Sequence, residues 1–248
     1  MEFTYNPKQK LLQIDANAKT VKGIAHGFQT GIMYLAPSDT SGRINVCPFA
    51  TDGCRRDCLY TAGRAAIGAM GQRIRQSRIK KTYAFAADRK GFRARLEREI
   101  GAAMRRAWSR NLRPVFRLNG TSDLEFWSLF AGLMADFPEC QFYDYTKSAL
   151  RVRLYLAGKL PANYHLTFSL SESLASQDAA RDFLARGVNV AVVFRTKAFP
   201  TSFLGHPVIN GDANDLRFTD PKGYVVALSA KGTAKRNATG FVHDATGI

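Results

Sequence analysis

From residue 113 onward the chain alternates between two hydrophobic periods. Short apolar or alternating runs that end in Asn, Asp, Ser or Gly predict strands. Longer runs with apolar positions three or four apart predict helices. Strands are predicted over 113–118, 140–145, 164–170, 188–194, 206–212 and 223–228, and helices over 124–137, 149–160 and 177–186. Ser122 or Asp123 caps the first helix, Pro161 closes the second and Gly187 ends the third. Upstream the pattern is less regular. Residues 1–29 read as a lead-in of short strands or irregular chain, and 30–35 is the first clear strand, stopped by Ala36-Pro37. Helical spacing runs over 64–82, breaks at Asp88-Arg89-Lys90-Gly91 and resumes over 92–111, where Phe92, Leu96, Ile100, Met104 and Trp108 form one stripe.

Strands that alternate with helices of this length imply a parallel sheet, because a parallel neighbour needs a crossover connection. The expected fold is therefore α/β. Two features favour a whole or partial β/α barrel over a doubly wound sheet. No Gly-x-Gly-x-x-Gly turn follows the first strand. Nearly every strand also ends in polar groups: Asn119 and Asp123, Asp144 and Lys147, Ser169, Ser171 and Glu172, Arg195 and Lys197, Asp212, and Ser229 with Lys231. In a barrel these ends share one mouth, where active sites lie. The expectation is one domain over 1–248, with a lead-in over 1–29, a barrel over 30–235 and a tail over 236–248.

The first of these strand ends carries the most distinctive chemistry. Cys47, Cys54 and Cys58 fall within twelve residues of a loop rich in Gly, Pro, Asp and Arg. Thiolates are soft ligands, and three together can hold zinc or three irons of a cubane cluster, leaving one position open for chemistry. Cys140 begins a strand and is expected at the opposite end, outside the ligand set. His26 is expected within reach of the loop, His206 and His243 less so. Arg55 and Arg56 would offset the charge of a thiolate centre or hold a phosphate.

Charge adds a partner. With 36 Lys and Arg against 20 Asp and Glu, the net charge is +16, which favours polyanions and nucleic acid first. Arg73, Arg75, Arg78, Lys80, Lys81, Arg105 and Arg106, on the two helical stretches, are the expected nucleic-acid contacts. Lys231-Gly232-Thr233-Ala234-Lys235-Arg236 forms no complete phosphate loop and reads as a basic surface loop. Asp212, Asp215 and Asp220 could make a hard-cation site, but acidic loop residues more often cap turns. Asp144 and Lys147, at one strand end, are a candidate proton-transfer pair. No run of eighteen apolar residues occurs, and the first residues lack the basic-then-apolar pattern of a secretory signal. No membrane partner is expected, and the expected location is the cytoplasm.

Two resemblances rest on these motifs. Leu35-Ala36-Pro37-Ser38-Asp39-Thr40-Ser41-Gly42, Cys47-Pro48-Phe49-Ala50, Gly53-Cys54, residues 117–123, Tyr143-Asp144-Tyr145-Thr146-Lys147 and Asp220-Pro221-Lys222-Gly223 resemble the phage gene product 88 family across about 30–243. That resemblance implies a phage or plasmid source, hence the host cytoplasm, and no particular chemistry. The cysteine loop after the first strand of a parallel partial barrel resembles the radical S-adenosylmethionine enzymes. There, three cysteines hold a 4Fe–4S cluster whose open iron binds the cofactor. This resemblance implies cofactor contacts at Asn119, Asp123, Ser169, Ser171 and Glu172. The gaps of six and three residues between the cysteines depart from that family's three and two, no aromatic residue precedes the last cysteine, and its Gly-Gly-Glu motif is missing. Together the residues and the second resemblance imply an iron–sulfur enzyme acting on nucleic acid or a nucleotide-like substrate. The alternative is a zinc- or cluster-stapled nucleic-acid-binding protein without catalysis.

Overall fold

The structure, a computed structural model, describes residues 9–245. In chain order its strands are β1 (Leu12–Ile14), β2 (Phe28–Met33), β3 (Arg113–Arg117), β4 (Gln141–Thr146), β5 (Tyr164–Ser169), β6 (Val190–Phe194), β7 (Ser202–Phe203), β8 (His206–Asn210), β9 (Val225–Ser229) and β10 (Val242–His243). The helices are α1 (Ala18–Gly23), α2 (Asp52–Arg56), α3 (Gly68–Ala87), α4 (Arg89–Trp108), α5 (Phe126–Leu129), α6 (Ala149–Leu156) and α7 (Leu174–Ala185). The strands form one sheet in the order β1-β2-β3-β4-β5-β6-β9-β8-β7, with β10 beside β6. Every neighbouring pair from β2 to β8 along this path is parallel, and only the edge pairs β1–β2 and β7–β8 are antiparallel.

Side-chain alternation explains how both faces are covered. Phe116, Phe142, Leu166 and Phe168 point to one face and pack against Phe85 of α3, Phe92, Leu96 and Ile100 of α4, Val152 of α6 and Phe183 of α7. Each such side chain contributes about 1.5–3 kcal/mol on burial. On the opposite face Phe28, Val115 and Tyr143 pack under Leu216 and Phe218. There Asp215 accepts from the Tyr143 hydroxyl at 3.1 Å and pairs with Arg117 at 3.3 Å. Helices thus cover one face, and the segment 211–220 covers part of the other. A parallel sheet needs both faces buried.

Several expectations are corrected. The expected α/β class and parallel sheet are present; of the whole or partial barrel, the whole one is not seen, since among the described residues the sheet is an open path from β1 to β7 that no strand pairing closes. The helix expected over 124–137 is only α5. The Asn119 side chain accepts from Leu124 N at 2.9 Å, and Gly132 turns the chain at φ 88°. Part of the lead-in is helical, because Asn17 and Thr20 form a reciprocal capping box for α1; its residues 1–8 lie outside the described chain. The expected tail holds β10, paired with the end of β6.

Candidate metal centre on the carboxyl edge of the sheet

Because β2, β3, β4, β5, β6 and β9 are parallel, their carboxyl ends share one edge. The cysteine segment leaves β2 there. Gly120 N donates to Met33 O at 2.9 Å, Thr121 Oγ1 to Leu35 O at 2.6 Å, and Asp123 N to Val46 O at 2.8 Å. Residues 120–123 therefore brace the start of the loop, and Cys47 Sγ lies 3.6 Å from Thr121 O. A side chain at Gly120 would come within 2.6 Å of Met33 O, so only glycine permits this approach.

The second cysteine sits on α2. Thr51 caps this helix, and its hydroxyl donates to Glu172 Oε2 at 2.8 Å. Glu172 Oε1 accepts the Gly53 N–H at 2.8 Å. A Cβ on Gly53 would lie 2.6 Å from Thr239 Oγ1 and 2.8 Å from Glu172 Oε1. The buried carboxylate of Asp57 accepts from Asn237 Nδ2. One acid beyond β5 and one amide before β10 therefore hold the cysteine segment against the sheet.

All four cysteines are free thiols, and the three in the loop are half-buried. The Cys47 thiol is pushed up to about 12, chiefly by burial, with a backbone hydrogen bond at Ser38 opposing and the nearby Cys58, Asp123 and Cys54 contributing. Burial also raises Cys58, with Cys54 adding to it and Arg78 and Lys147 opposing it. Cys47 thus feels both neighbouring thiols, and Cys58 feels Cys54. Among the described residues no three His, Cys, Asp or Glu side chains are gathered closely enough to form a finished metal-ligand set. Two cations lie near Cys58. The Arg78 guanidinium lies 4.8 Å from the Tyr34 ring centroid and 5.6 Å from that of Tyr60, and its buried Nε and Nη1 have no hydrogen-bond partner among the described residues. Lys147 Nζ donates to Ser169 Oγ at 2.7 Å and lies 5.3 Å from the centroid of the Phe241 ring.

The remaining expected residues divide sharply. Asp144 and Lys147 do not form a proton-transfer pair. Asp144 points to the helix-covered face, where its carboxylate accepts from Asn119 N at 2.8 Å, Asn119 Nδ2 at 3.0 Å and the Tyr164 hydroxyl at 3.0 Å. Burial pushes its pKa up to about 6. Asn119 is committed to that contact. Asp123 accepts from Lys147 N and Arg151 Nη1, both at 2.9 Å, and Glu172 holds the loop. Of the expected cofactor contacts, Ser169 has its hydroxyl beside Lys147, and buried Ser171 lies 3.4 Å from Ser173 Oγ.

Cys140 precedes β4 at the opposite edge, inside the core, as its place in the strand implies. His26, expected near the loop, ends the turn before β2, also at that opposite edge. His243, in β10, is the histidine on the carboxyl side, packed by the rings of Phe194 and Phe203. The helical cations also separate. Arg73, Lys80, Arg105 and Arg106 are exposed. Lys81 is buried and donates to Leu11 O at 2.9 Å, with its pKa pushed down to about 8 by burial. Arg75 donates to Ala65 O, and Arg78 lies near Cys58. Lys81 is thereby removed from the expected nucleic-acid surface, and Arg75 and Arg78 are half-buried. The signal was present in the spacing: Arg78, Lys81, Thr82 and Phe85 share one stripe of α3. Asn237 was missed because the residues it joins are 180 apart.

Among the described residues no helix is long and apolar enough to cross a membrane. The family model described as "Gene product 88" matches residues 8–245, and the chain belongs to that family. No curated protein and no solved structure matches it.

Proposed function

We propose that this gene product 88 protein is an iron–sulfur enzyme of the radical S-adenosylmethionine type. In this reading it is built on an open, partial β/α barrel and acts on nucleic acid or a nucleotide-like substrate. The observation that carries the reading is the placement of three free thiols on one loop at the carboxyl edge of a parallel sheet, where Cys47 and Cys58 each feel a neighbouring thiol, although the three are not gathered into a finished ligand set. The donor set is soft and suits iron or zinc. Two buried donors of Arg78 without a hydrogen-bond partner among the described residues fit an anionic group beside Cys58.

Cys47, Cys54 and Cys58 would hold the cluster. When bound, a 4Fe–4S cluster with one open iron supplies one-electron chemistry on S-adenosylmethionine. Arg78 and Lys147 offset negative charge at the site, and the Lys147–Ser169 pair offers a polar contact on its rim. The aromatic rings of Tyr34, Tyr60 and Phe241 limit water around the two cations.

The alternative, a metal that only staples the loop, is less well supported. Glu172 and Asn237 already hold that loop through hydrogen bonds. A centre not required for folding the loop is available for chemistry. The test is metal and sulfide analysis of protein purified without oxygen, beside Cys54→Ser. Close to four irons and four sulfides with broad visible absorption, lost in the variant, supports the reading. Stoichiometric zinc without colour would move the assignment to the stapled binder, and a metal-free, colourless protein after reconstitution would refute both.

A further inference from the structure

Beside the thiol loop, the carboxyl ends of β6 and β9 enclose a cleft of about 450 Å3. Arg195, Lys197, Lys231 and Lys235 line it together with Gly63, which follows the cysteines by a few residues, and no carboxylate is among the lining side chains. We infer that this cleft binds a phosphate group of a nucleotide or a nucleic-acid strand. The inference deepens the preceding reading by placing the substrate's phosphate, and it rests on that reading only for the identity of the neighbouring centre.

The four cations are not equivalent. Arg195 is a strut: Nε pairs with Asp244 at 2.7 Å, Nη1 donates to Lys235 O at 2.8 Å and Nη2 to Asn237 O at 3.1 Å. It fixes the turn that carries Lys235. Lys231 lies 3.8 Å from Asp212, but that carboxylate is held more closely by Lys19 at 2.6 Å and by the Ser229 hydroxyl. Lys197 and Lys235 are exposed, and among the described residues neither has a carboxylate partner. The cleft therefore gathers more positive charge than the surrounding acids neutralise. Gathering like charges opposes folding, and an anion relieves it. The volume falls within the range of small-ligand sites.

Position supports the same conclusion. Gly232 adopts φ 58°, and a Cβ there would meet the Ala62 Cβ at 3.4 Å. The basic loop after β9 and the segment after the cysteines thus share a wall. A phosphate in the cleft would sit at the edge of the sheet that carries the thiols. The exposed Arg105 and Arg106 lie instead on α4, which packs on the face of the sheet.

The test compares wild type with Lys197→Ala/Lys235→Ala and Arg105→Ala/Arg106→Ala. Binding of a fluorescent single-stranded 20-mer and of a fluorescent nucleoside triphosphate is followed across a range of salt. Loss of two single-strand phosphate contacts is expected to reduce the slope of log K against log salt by about 1.4 and to weaken binding about tenfold at low salt. Weakening for the oligonucleotide identifies a strand as the phosphate source, and weakening for the triphosphate alone identifies a free nucleotide. Either supports the cleft. Unchanged affinity for both probes, or a larger loss in the Arg105→Ala/Arg106→Ala protein, would overturn it. Iron content of the same samples keeps this test separate from the preceding one. Lost affinity with iron unchanged supports the cleft, and unchanged affinity overturns it whether or not the protein holds iron.

Discussion

Glu172→Ala tests how the cysteine loop is attached. The Glu172 carboxylate is the acceptor for the Gly53 N–H and the Thr51 hydroxyl, both at 2.8 Å. Gly53 lies in the first turn of α2, whose N–H groups have no acceptor within the helix. Hydrogen bonds to a charged group contribute about 1.5–3 kcal/mol each. Discounting for the partial exposure of Glu172, the two together should stabilise the attached loop by about 2–3 kcal/mol. If the loop unfolds with the rest of the chain, Tm should fall by about 4–12 °C. Exchange of the Gly53 amide should accelerate by about 30-fold or more, since each 1.36 kcal/mol is a factor of ten. Glu172→Gln keeps one acceptor and the side-chain volume, so its effects should be smaller on both readouts. Hydrogen exchange resolved to the segment 48–58, beside thermal melts, provides the measurement. A Glu172→Ala protein with wild-type Gly53 exchange and Tm would refute the claim that this carboxylate anchors the loop.

Two further outcomes follow from the same packing. Gly120→Ala would place a Cβ 2.6 Å from both Met33 O and the Tyr34 ring, and the backbone carbonyl cannot yield cheaply. A loss of about 1–3 kcal/mol is expected in urea unfolding, and a neutral result would show that the β2–β3 approach is looser than described. Asp144 has its folded pKa raised to about 6 by burial. A carboxyl whose folded pKa exceeds its unfolded one binds protons more tightly when folded. Its contribution therefore increases as pH falls through 6 and levels off below the unfolded value near 4. Between pH 7 and 5 wild type should gain about 1.3 kcal/mol relative to Asp144→Asn. The variant should also be less stable at pH 7, because an amide would turn a donor toward donors. Parallel pH profiles in urea unfolding would refute this account of Asp144.

Much of the sheet was legible from periodicity. The strands from β3 to β6 and β9 are short apolar runs between polar turns, and local pattern alone separates them from helices. Chain order with intervening helices also implies parallel pairing, so the shared carboxyl edge and the place of Cys140 away from it follow. The α5 region was misread because its apolar spacing is helical while its backbone bonds are taken elsewhere. Asn119 claims Leu124 N, and Phe126, Phe130 and Leu133 each sink into the core.

The sequence by itself determined the alternating order of elements, the clustering of three thiols and the family to which the chain belongs. These depend on residue type and local spacing, which no partner can alter. Tertiary structure decided which polar groups are available. Asp144 and Lys147 are three residues apart, yet strand alternation turns one into the helix-covered face and leaves the other on the rim. Likewise Lys81 leaves the outer surface because α3 lies on the sheet, and Asn237 reaches Asp57 because β10 returns beside β6. Such contacts depend on which distant segment fills the adjoining space, and hydrophobic spacing carries no record of that.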